Sequence, residues 1–247
     1  DQYENKVTQT NDTAYDFSSY YPTPYGAYQT DFLLPYGVAK IWKYNIPQSG
    51  SQAMSMMSGY KPSDRTPLLA LYTLPFLNLF GDRMFIFEMI SISLAPLFLL
   101  STWLLLREIF GQNTAYLATI FLIFNHWLLF ANHFGQVRML TLFFIELFLY
   151  FLIRLCKSES DTAMILTSLA ATMAFLSHPF AIIYIFSGFI FQLIWHLKEK
   201  KKKIFSTLAK AYGLSLLFFV LWTLWAKSQL GNSLLISSMT SGTWQKT

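Results

Sequence analysis

Residues 138–156, RMLTLFFIELFLYFLIRLC, decide the class of fold. Apart from two arginines and one glutamate the stretch is almost entirely apolar, and an α-helix needs about 20 mostly apolar residues to cross a bilayer. Similar stretches lie on both sides of it, so the sequence predicts an all-α polytopic membrane protein with about six transmembrane helices. The predicted spans are 84–106, 114–135, 138–156, 162–177, 180–197 and 205–226.

The composition of the chain agrees with a membrane protein. Of its 247 residues 54% are hydrophobic and only 13% are charged, whereas a soluble domain carries about 25% charged residues. The net charge of +5 comes partly from a lysine run at 198–203, between two apolar segments. Such a run sets topology or meets anionic lipid headgroups, so we predict membrane lipid as a partner and no nucleic acid.

Four regions follow from the distribution of polar residues. Residues 1–66 are predicted to be an extracytoplasmic loop region with a short amphipathic helix in TDFLLPYGVAKIWKY, residues 30–44. Residues 67–83 are predicted to form an interfacial or re-entrant helix, with Thr66 as its cap, Pro67 as its first residue, a break near Pro75 and an end at Gly81. Residues 84–230 form the transmembrane bundle, and residues 231–247 are an extracytoplasmic tail or the start of the next loop. Because the chain begins with Asp1 and shows no signal peptide, we expect a piece of a longer protein.

Basic residues alternate between the two sides of the predicted membrane. One set of short loops holds eight lysines and arginines and the opposite set holds two. The larger set is Arg107, Arg154, Lys157, Lys198, Lys200, Lys201, Lys202 and Lys203, and the smaller is Arg138 and Lys227. By the positive-inside rule the first set is cytoplasmic. The prediction is therefore a multi-pass protein of the plasma (inner) membrane with residues 1–83 extracytoplasmic.

Polar residues that are unusual in such a chain concentrate on the predicted external side. They are Asp31, Arg65, His126, His133, Arg138 and His178. His126 and His133 lie seven residues apart on one helical face, where they either line a water-filled cleft or hydrogen-bond neighbouring helices. That spacing is about 10 Å along a helix, too far for the two imidazoles to share one metal ion.

Two glutamates lie inside apolar runs and need an explanation. A carboxylate in hydrocarbon is costly, so Glu88 and Glu146 are either functional groups or structural groups held by a partner. Glu88 is close to Arg83 in sequence, which allows an ion pair near the interface. For Glu146, nearer the middle of its span, we expect a protonated or hydrogen-bonded structural role.

Three stretches, in this order, resemble the GT-C class of membrane glycosyltransferases, and in particular proteins similar to dolichyl-phosphate-mannose protein mannosyltransferases. TDFLLPYGVAKIW resembles a helix of that family's first external loop, with Asp31 and Ala39 eight residues apart. DRTPLLALYTLPFLNLFGD resembles the family's stretch leading into a membrane helix, and GQVRMLTLFFIELFLYFLIR with LSHPFAIIYI resembles the helices that follow. Phe32 departs from the pattern, since many members carry a second acidic residue there.

The resemblance implies an enzyme that moves a sugar from a polyprenyl-phosphate donor to an acceptor on the extracytoplasmic face. It implies Asp31 as the catalytic base, with Asp16 and Asp12 as fallbacks. The predicted substrate-binding residues are Arg65, Arg138, His178, His133 and His126. No metal ligands and no required cofactor are predicted, with a divalent cation left as an alternative. Without the resemblance, Asp31 would be interpreted as a helix cap or a solvated loop acid.

Two other classes of function stay open. The chain can be a non-catalytic membrane subunit that uses its helices to bind other membrane subunits of a larger complex. It can also be a lipid or solute transporter, with Glu146 and the helical face of Asn125, His126, Asn132 and His133 lining the path. A transporter built from internal repeats would show them in its sequence, and we find no convincing repeat.

The topology is testable by labelling of single cysteines in a Cys156→Ser background. Cysteines placed at Gln112 and Lys201 should be protected from an impermeant thiol reagent added outside intact cells, and a cysteine at Ser51 should react. Permeabilising the cells should expose Lys201→Cys. Labelling of Lys201→Cys in intact cells would reverse the orientation.

Overall fold

The computed structural model describes residues 29–47, 52–53, 67–125, 137–158, 160–199 and 202–230. Within these residues the regular structure is helical, which confirms the predicted all-α class. The helices are α1 (Gln29–Lys43), α2 (Leu68–Phe80), α3 (Met84–Ile92), α4 (Leu94–Phe110), α5 (Gln112–Ile123), α6 (Val137–Ser158), α7 (Asp161–Ser177), α8 (Ala181–Glu199) and α9 (Lys202–Leu230).

Two helical stretches of the described residues, Phe85–Phe110 and Met139–Ser158, are long and apolar enough to cross a membrane. The first consists of α3 and α4, which meet at a turn at Ser93, and the second is most of α6. The other predicted spans also contain helix, but their apolar parts are shorter, for example Ala181–Ile194 in α8 and Phe205–Leu221 in α9. The structure therefore supports two spans by length and composition, and the number six stays a prediction.

The predicted break of α2 at Pro75 is wrong. The helix runs without interruption from Leu68 to Phe80 and ends at Gly81, whose φ of 92° suits a residue without a side chain. Pro75 lies on the exposed side, while Leu69, Ala70, Thr73 and Leu77 are buried. This burial holds the helix together although a proline removes one backbone hydrogen bond. Pro67 occupies the cap position and Leu68 is the first helical residue, so the helix begins one residue later than predicted.

A first apolar core joins α1 and α2 to the membrane helices. Leu34, Val38 and Ile41 of α1 are buried in one cluster with Leu69 and Leu77 of α2. The cluster continues into α3, α4 and the first turn of α6 through Phe87, Leu94, Phe98, Met139 and Leu140. The amphipathic segment predicted at residues 30–44 is therefore a helix that is buried in the protein along much of its length.

The second core lies between α6, α7, α8 and α9. Helix α7 is at its centre and buries mainly small residues, such as Ala170, Ala171 and Ala174, which let neighbouring helices approach closely. Ser168 of α7 donates a hydrogen bond to the carbonyl oxygen of Ala211 in α9 at 2.8 Å. Helix α8 approaches α6 at Gly188, where an added Cβ would lie 3.1 Å from Phe148. The bundle is thus held by close packing with a few polar contacts.

Glu146 of α6 is hydrogen-bonded to α4. The hydroxyl of Ser101 lies 2.6 Å from Oε2, and the hydroxyl of Thr102 lies 2.8 and 2.9 Å from the two carboxyl oxygens. Both hydroxyls also lie within hydrogen-bond distance of the Phe98 carbonyl oxygen, one turn back in α4. The prediction of a hydrogen-bonded structural glutamate is confirmed, and its role is to join two membrane helices.

An ion pair joins the far ends of the same two helices. The Lys157 ammonium lies 2.7 Å from Oε1 of Glu108. The carboxyl ends of α4 and α6 are therefore at one end of the bundle, so Arg107 and Lys157 lie at the same end, as the charge alternation predicts. Arg107 stacks on Trp103, 4.4 Å from the ring centre.

The contacts of Glu146 predict that removing its carboxylate and removing the two hydroxyls have unequal effects on the melting temperature. Glu146→Leu should change the apparent melting temperature by no more than about 2 °C, because both hydroxyls can donate to Phe98 instead. Ser101→Ala with Thr102→Val should lower it by roughly 3–10 °C, since the half-buried carboxyl then loses its donors at a cost of about 1–3 kcal/mol.

The measurement is thermal unfolding of the full chain in detergent micelles. Adding Glu146→Leu to the Ser101/Thr102 variant should restore most of the loss, which makes the three substitutions a coupling cycle. Equal losses in both variants, without restoration, would contradict the pairing.

Candidate functional site

Two helices that carry predicted site residues, α1 and α6, share one apolar core at one end of the bundle. The first turn of α6 contains Arg138, and the next two residues, Met139 and Leu140, are buried in the cluster that holds α1. Asp31 lies in the first turn of α1. The backbones of Asp31 and Arg138 thus belong to helices that share one core. This is the end opposite to the Glu108–Lys157 ion pair.

His178 lies at this end too. It caps the carboxyl end of α7 in an extended conformation, and its Nδ1 accepts a hydrogen bond from the backbone N–H of Phe180 at 3.2 Å. Ala174 of α7 packs with Ile145 of α6. From that level His178 is roughly 6 Å further along α7, and Arg138 is roughly 10 Å further along the antiparallel α6. The two backbones therefore lie near the same level of the bundle.

The position of Asp31 in α1 excludes its interpretation as a helix cap. Helix α1 begins at Gln29, so Asp31 is inside the first turn and does not occupy the cap position. Arg65, His126, His133, Asp12 and Asp16 lie outside the described residues.

Asp82 forms a polar cluster that the sequence analysis missed. It follows Gly81, between α2 and α3. Its Oδ2 accepts a hydrogen bond from the Tyr44 hydroxyl at 2.6 Å and lies 3.6 Å from the Lys40 ammonium. Its backbone carbonyl oxygen accepts from the Tyr36 hydroxyl. Asp82 is therefore the point where the carboxyl-terminal half of α1 is joined to the segment entering the membrane helices.

The carboxylate of Asp82 is stabilised by the groups around it. Partial burial acts to raise the pKa of Asp82, but the hydrogen bond from Tyr44 and the positive charges of Lys40 and Lys43 outweigh it and lower that pKa below its ordinary value. Lys43 donates to the carbonyl oxygen of Leu77 at 2.8 Å, in the last turn of α2. A cation is favourable there because the carboxyl end of a helix carries partial negative charge.

The sequence contained only half of the signal for this cluster. Tyr36, Lys40 and Tyr44 are four residues apart and lie along one side of a helix, which is visible in the pattern. Their partner Asp82 is distant in sequence, and no local pattern connects it to them. In the described part of the chain, no group of three or more His, Cys, Asp and Glu residues is placed to hold a metal ion.

Comparison with known protein families gives a match that covers most of the chain. The family model of dolichyl-phosphate-mannose-protein mannosyltransferase matches residues 64–225. The matched region contains Arg65, Arg138 and His178, and it extends from the start of α2 into α9, whereas Asp31 and α1 precede it. Neither a curated protein nor a solved structure matches the chain.

The lowered pKa of Asp82 predicts a pH-dependent contribution to stability. Because the folded state favours the ionised carboxylate, this contribution is complete above the pKa of the unfolded chain, about 4, and is lost as the pH falls through the lower folded-state value. The wild-type protein should melt at a higher temperature than Asp82→Asn at pH 6, and the difference should shrink below about pH 4.

Thermal unfolding in micelles between pH 2.5 and 6 measures this difference. Asn keeps an acceptor oxygen for Tyr44 and removes only the charge, so it is the appropriate reference. A difference between the two proteins that is the same at pH 3 and pH 6 would contradict the ionised cluster.

Proposed function

Since the chain belongs to the dolichyl-phosphate-mannose-protein mannosyltransferase family, we propose that it transfers a sugar from a polyprenyl-phosphate carrier to an acceptor on the extracytoplasmic face. The observation that carries the proposal is the family match over residues 64–225, which includes α2 and every membrane-length helix of the described chain. Proteins of this family are membrane glycosyltransferases with a lipid-linked sugar donor. The carrier, the acceptor and the side of the membrane are the parts that we add.

Asp31 is the proposed base. Its carboxylate takes the proton of the acceptor hydroxyl as that oxygen forms a bond to the anomeric carbon. The bond between the anomeric carbon and the phosphate oxygen breaks, and the carrier phosphate leaves with the electron pair. Support for this role is the sequence around Asp31 and the location of α1, which packs in one core with the first turn of α6.

Cationic groups are proposed to stabilise the departing phosphate. Arg65 is three residues before the first residue of α2 in the sequence, and helix N-termini attract phosphate. Arg138 and His178 belong to the ends of α6 and α7 that approach the same level. Charge that develops on a leaving oxygen is stabilised best by donors already fixed in place. His126 and His133 complete the proposed substrate-binding set.

The carrier also needs an apolar surface for its long chain. Helix α5 exposes Leu117, Ile120 and Phe121, and α8 exposes Ile183 and Phe186. These side chains lie on parts of the bundle that meet lipid if the chain crosses the membrane as proposed. A polyprenyl chain can lie along such a surface with little desolvation cost, since it leaves one apolar environment for another.

The proposed base predicts that Asp31→Asn abolishes transfer. Asn preserves the size of the side chain but cannot accept the acceptor proton, and loss of a general base costs about 10²–10⁴ in rate. The measurement is transfer from radiolabelled polyprenyl-phosphate sugars by the full-length protein in liposomes, with thermal unfolding as the control for folding.

Asp16→Asn and Asp12→Asn serve as matched controls in the same external region. Full activity in Asp31→Asn together with an inactive Asp16→Asn would assign the base to the other acid. No transfer by the wild-type protein across a panel of lipid-linked sugars would argue against the enzyme and favour the non-catalytic subunit.

A further inference from the structure

Two kinds of contact hold α1 against the rest of the protein. Its apolar side, with Leu34, Val38 and Ile41, is buried against α2 and α3. Apolar contact is strong but not directional. It therefore drives the docking of α1 but does little to fix the rotation or tilt of the docked helix. Hydrogen bonds depend on distance and angle, and ion pairs depend on distance. We therefore expect these polar contacts to restrict the rotation and tilt of α1.

Among the side chains of α1 that the structure describes, those that make directional contacts with the rest of the protein run from the middle of the helix to just past its carboxyl end. Tyr36, Lys40 and Tyr44 all reach Asp82, and Lys43 reaches Leu77 just before it. Asp82 is contacted on its side chain and on its backbone, so two separate points of one residue are held. We name Tyr36, Lys40, Tyr44 and Asp82 the Asp82 clamp.

The Asp82 clamp lies some distance along α1 from Asp31. Lys40 is nine residues beyond Asp31 in the same helix, which corresponds to roughly 14 Å along its axis. A tilt of about 5° around Lys40 would therefore move the backbone of Asp31 by about 1 Å. A displacement of that size between reacting groups can reduce a reaction rate about 100-fold.

We propose that Asp82 is a positioning residue for transfer: through the Asp82 clamp it fixes the tilt and axial position of α1, and with them the place of Asp31. The proposal rests on the proposed function for its catalytic part. Its structural part, that the clamp restrains α1, stands on the contacts alone. Asp82 itself acts through α1 and is assigned no contact with substrate.

The structural part is tested by amide hydrogen exchange on the full chain in micelles. Asp82→Ala removes the carboxylate contacts, and Tyr44→Phe removes a single hydroxyl if the first variant fails to fold. Exchange at residues 33–43 should become about tenfold faster in either variant, the change expected for one hydrogen bond to a charged group. Exchange in α6 and α7 should stay the same. Tyr72→Phe, in the same apolar core, is the matched control and should leave α1 unchanged.

The catalytic part is tested by steady-state transfer kinetics. In Asp82→Ala and Tyr44→Phe, kcat should fall about 10- to 100-fold while KM for the lipid-linked donor changes less than about threefold. Asp82→Asn, which keeps an acceptor for Tyr44, should give an intermediate kcat.

Three outcomes would overturn the proposal. Unchanged exchange would show that apolar packing alone fixes α1. Faster exchange with unchanged kcat would show that transfer tolerates the movement, and in that case an inactive Asp31→Asn would leave the proposed function intact. Absence of transfer by the wild-type protein would remove the catalytic part together with the proposed function, while the exchange result would still decide whether the clamp restrains α1.

Discussion

Hydrocarbon offers no hydrogen-bond partner to a polypeptide, and this constraint determines how the bundle is built. Helices satisfy their own backbone groups, and the hydroxyls in α7 follow the same rule. Thr167, Ser168 and Thr172 each lie within hydrogen-bond distance of a carbonyl oxygen one turn back in their own helix. Contacts to α9 are alternatives to these bonds, so α7 can carry many hydroxyls, stay buried and keep the small side chains that let its neighbours approach.

The helical architecture was predictable because it depends on length and composition. Helix α6 was predicted at 138–156 and found at Val137–Ser158, and the division at His178-Pro179 separates α7 from α8 as predicted. Local pattern failed at Pro75, where burial of the opposite side of α2 outweighs the proline. The packing of α1 against α2 and α3 could not be predicted from local pattern either, since α1 is distant from those helices in sequence.

The candidate site was predictable in part. Charge alternation predicted that Arg138 and His178 lie on one side of the membrane. In the structure, the packing of Ala174 with Ile145 places the helix ends that carry them near a common level. Asp82 was missed because its partners lie in another helix, so neither spacing nor periodicity identifies it. Long-range polar contacts of this kind are specified by the tertiary structure and leave no local signature.

The free energies of the two kinds of contact explain why α1 has a polar clamp as well as an apolar core. An ion pair with a partly exposed partner contributes at most about 1 kcal/mol, whereas each large apolar side chain buried with Leu34 and Ile41 contributes about 1.5–3 kcal/mol. Docking of α1 is therefore an apolar process for which the clamp is not required. Directional contacts at Asp82 instead select one geometry among the docked ones. The proposed role of Asp31 as the base depends on that selection, since a general base has to lie within hydrogen-bond reach of the proton that it takes.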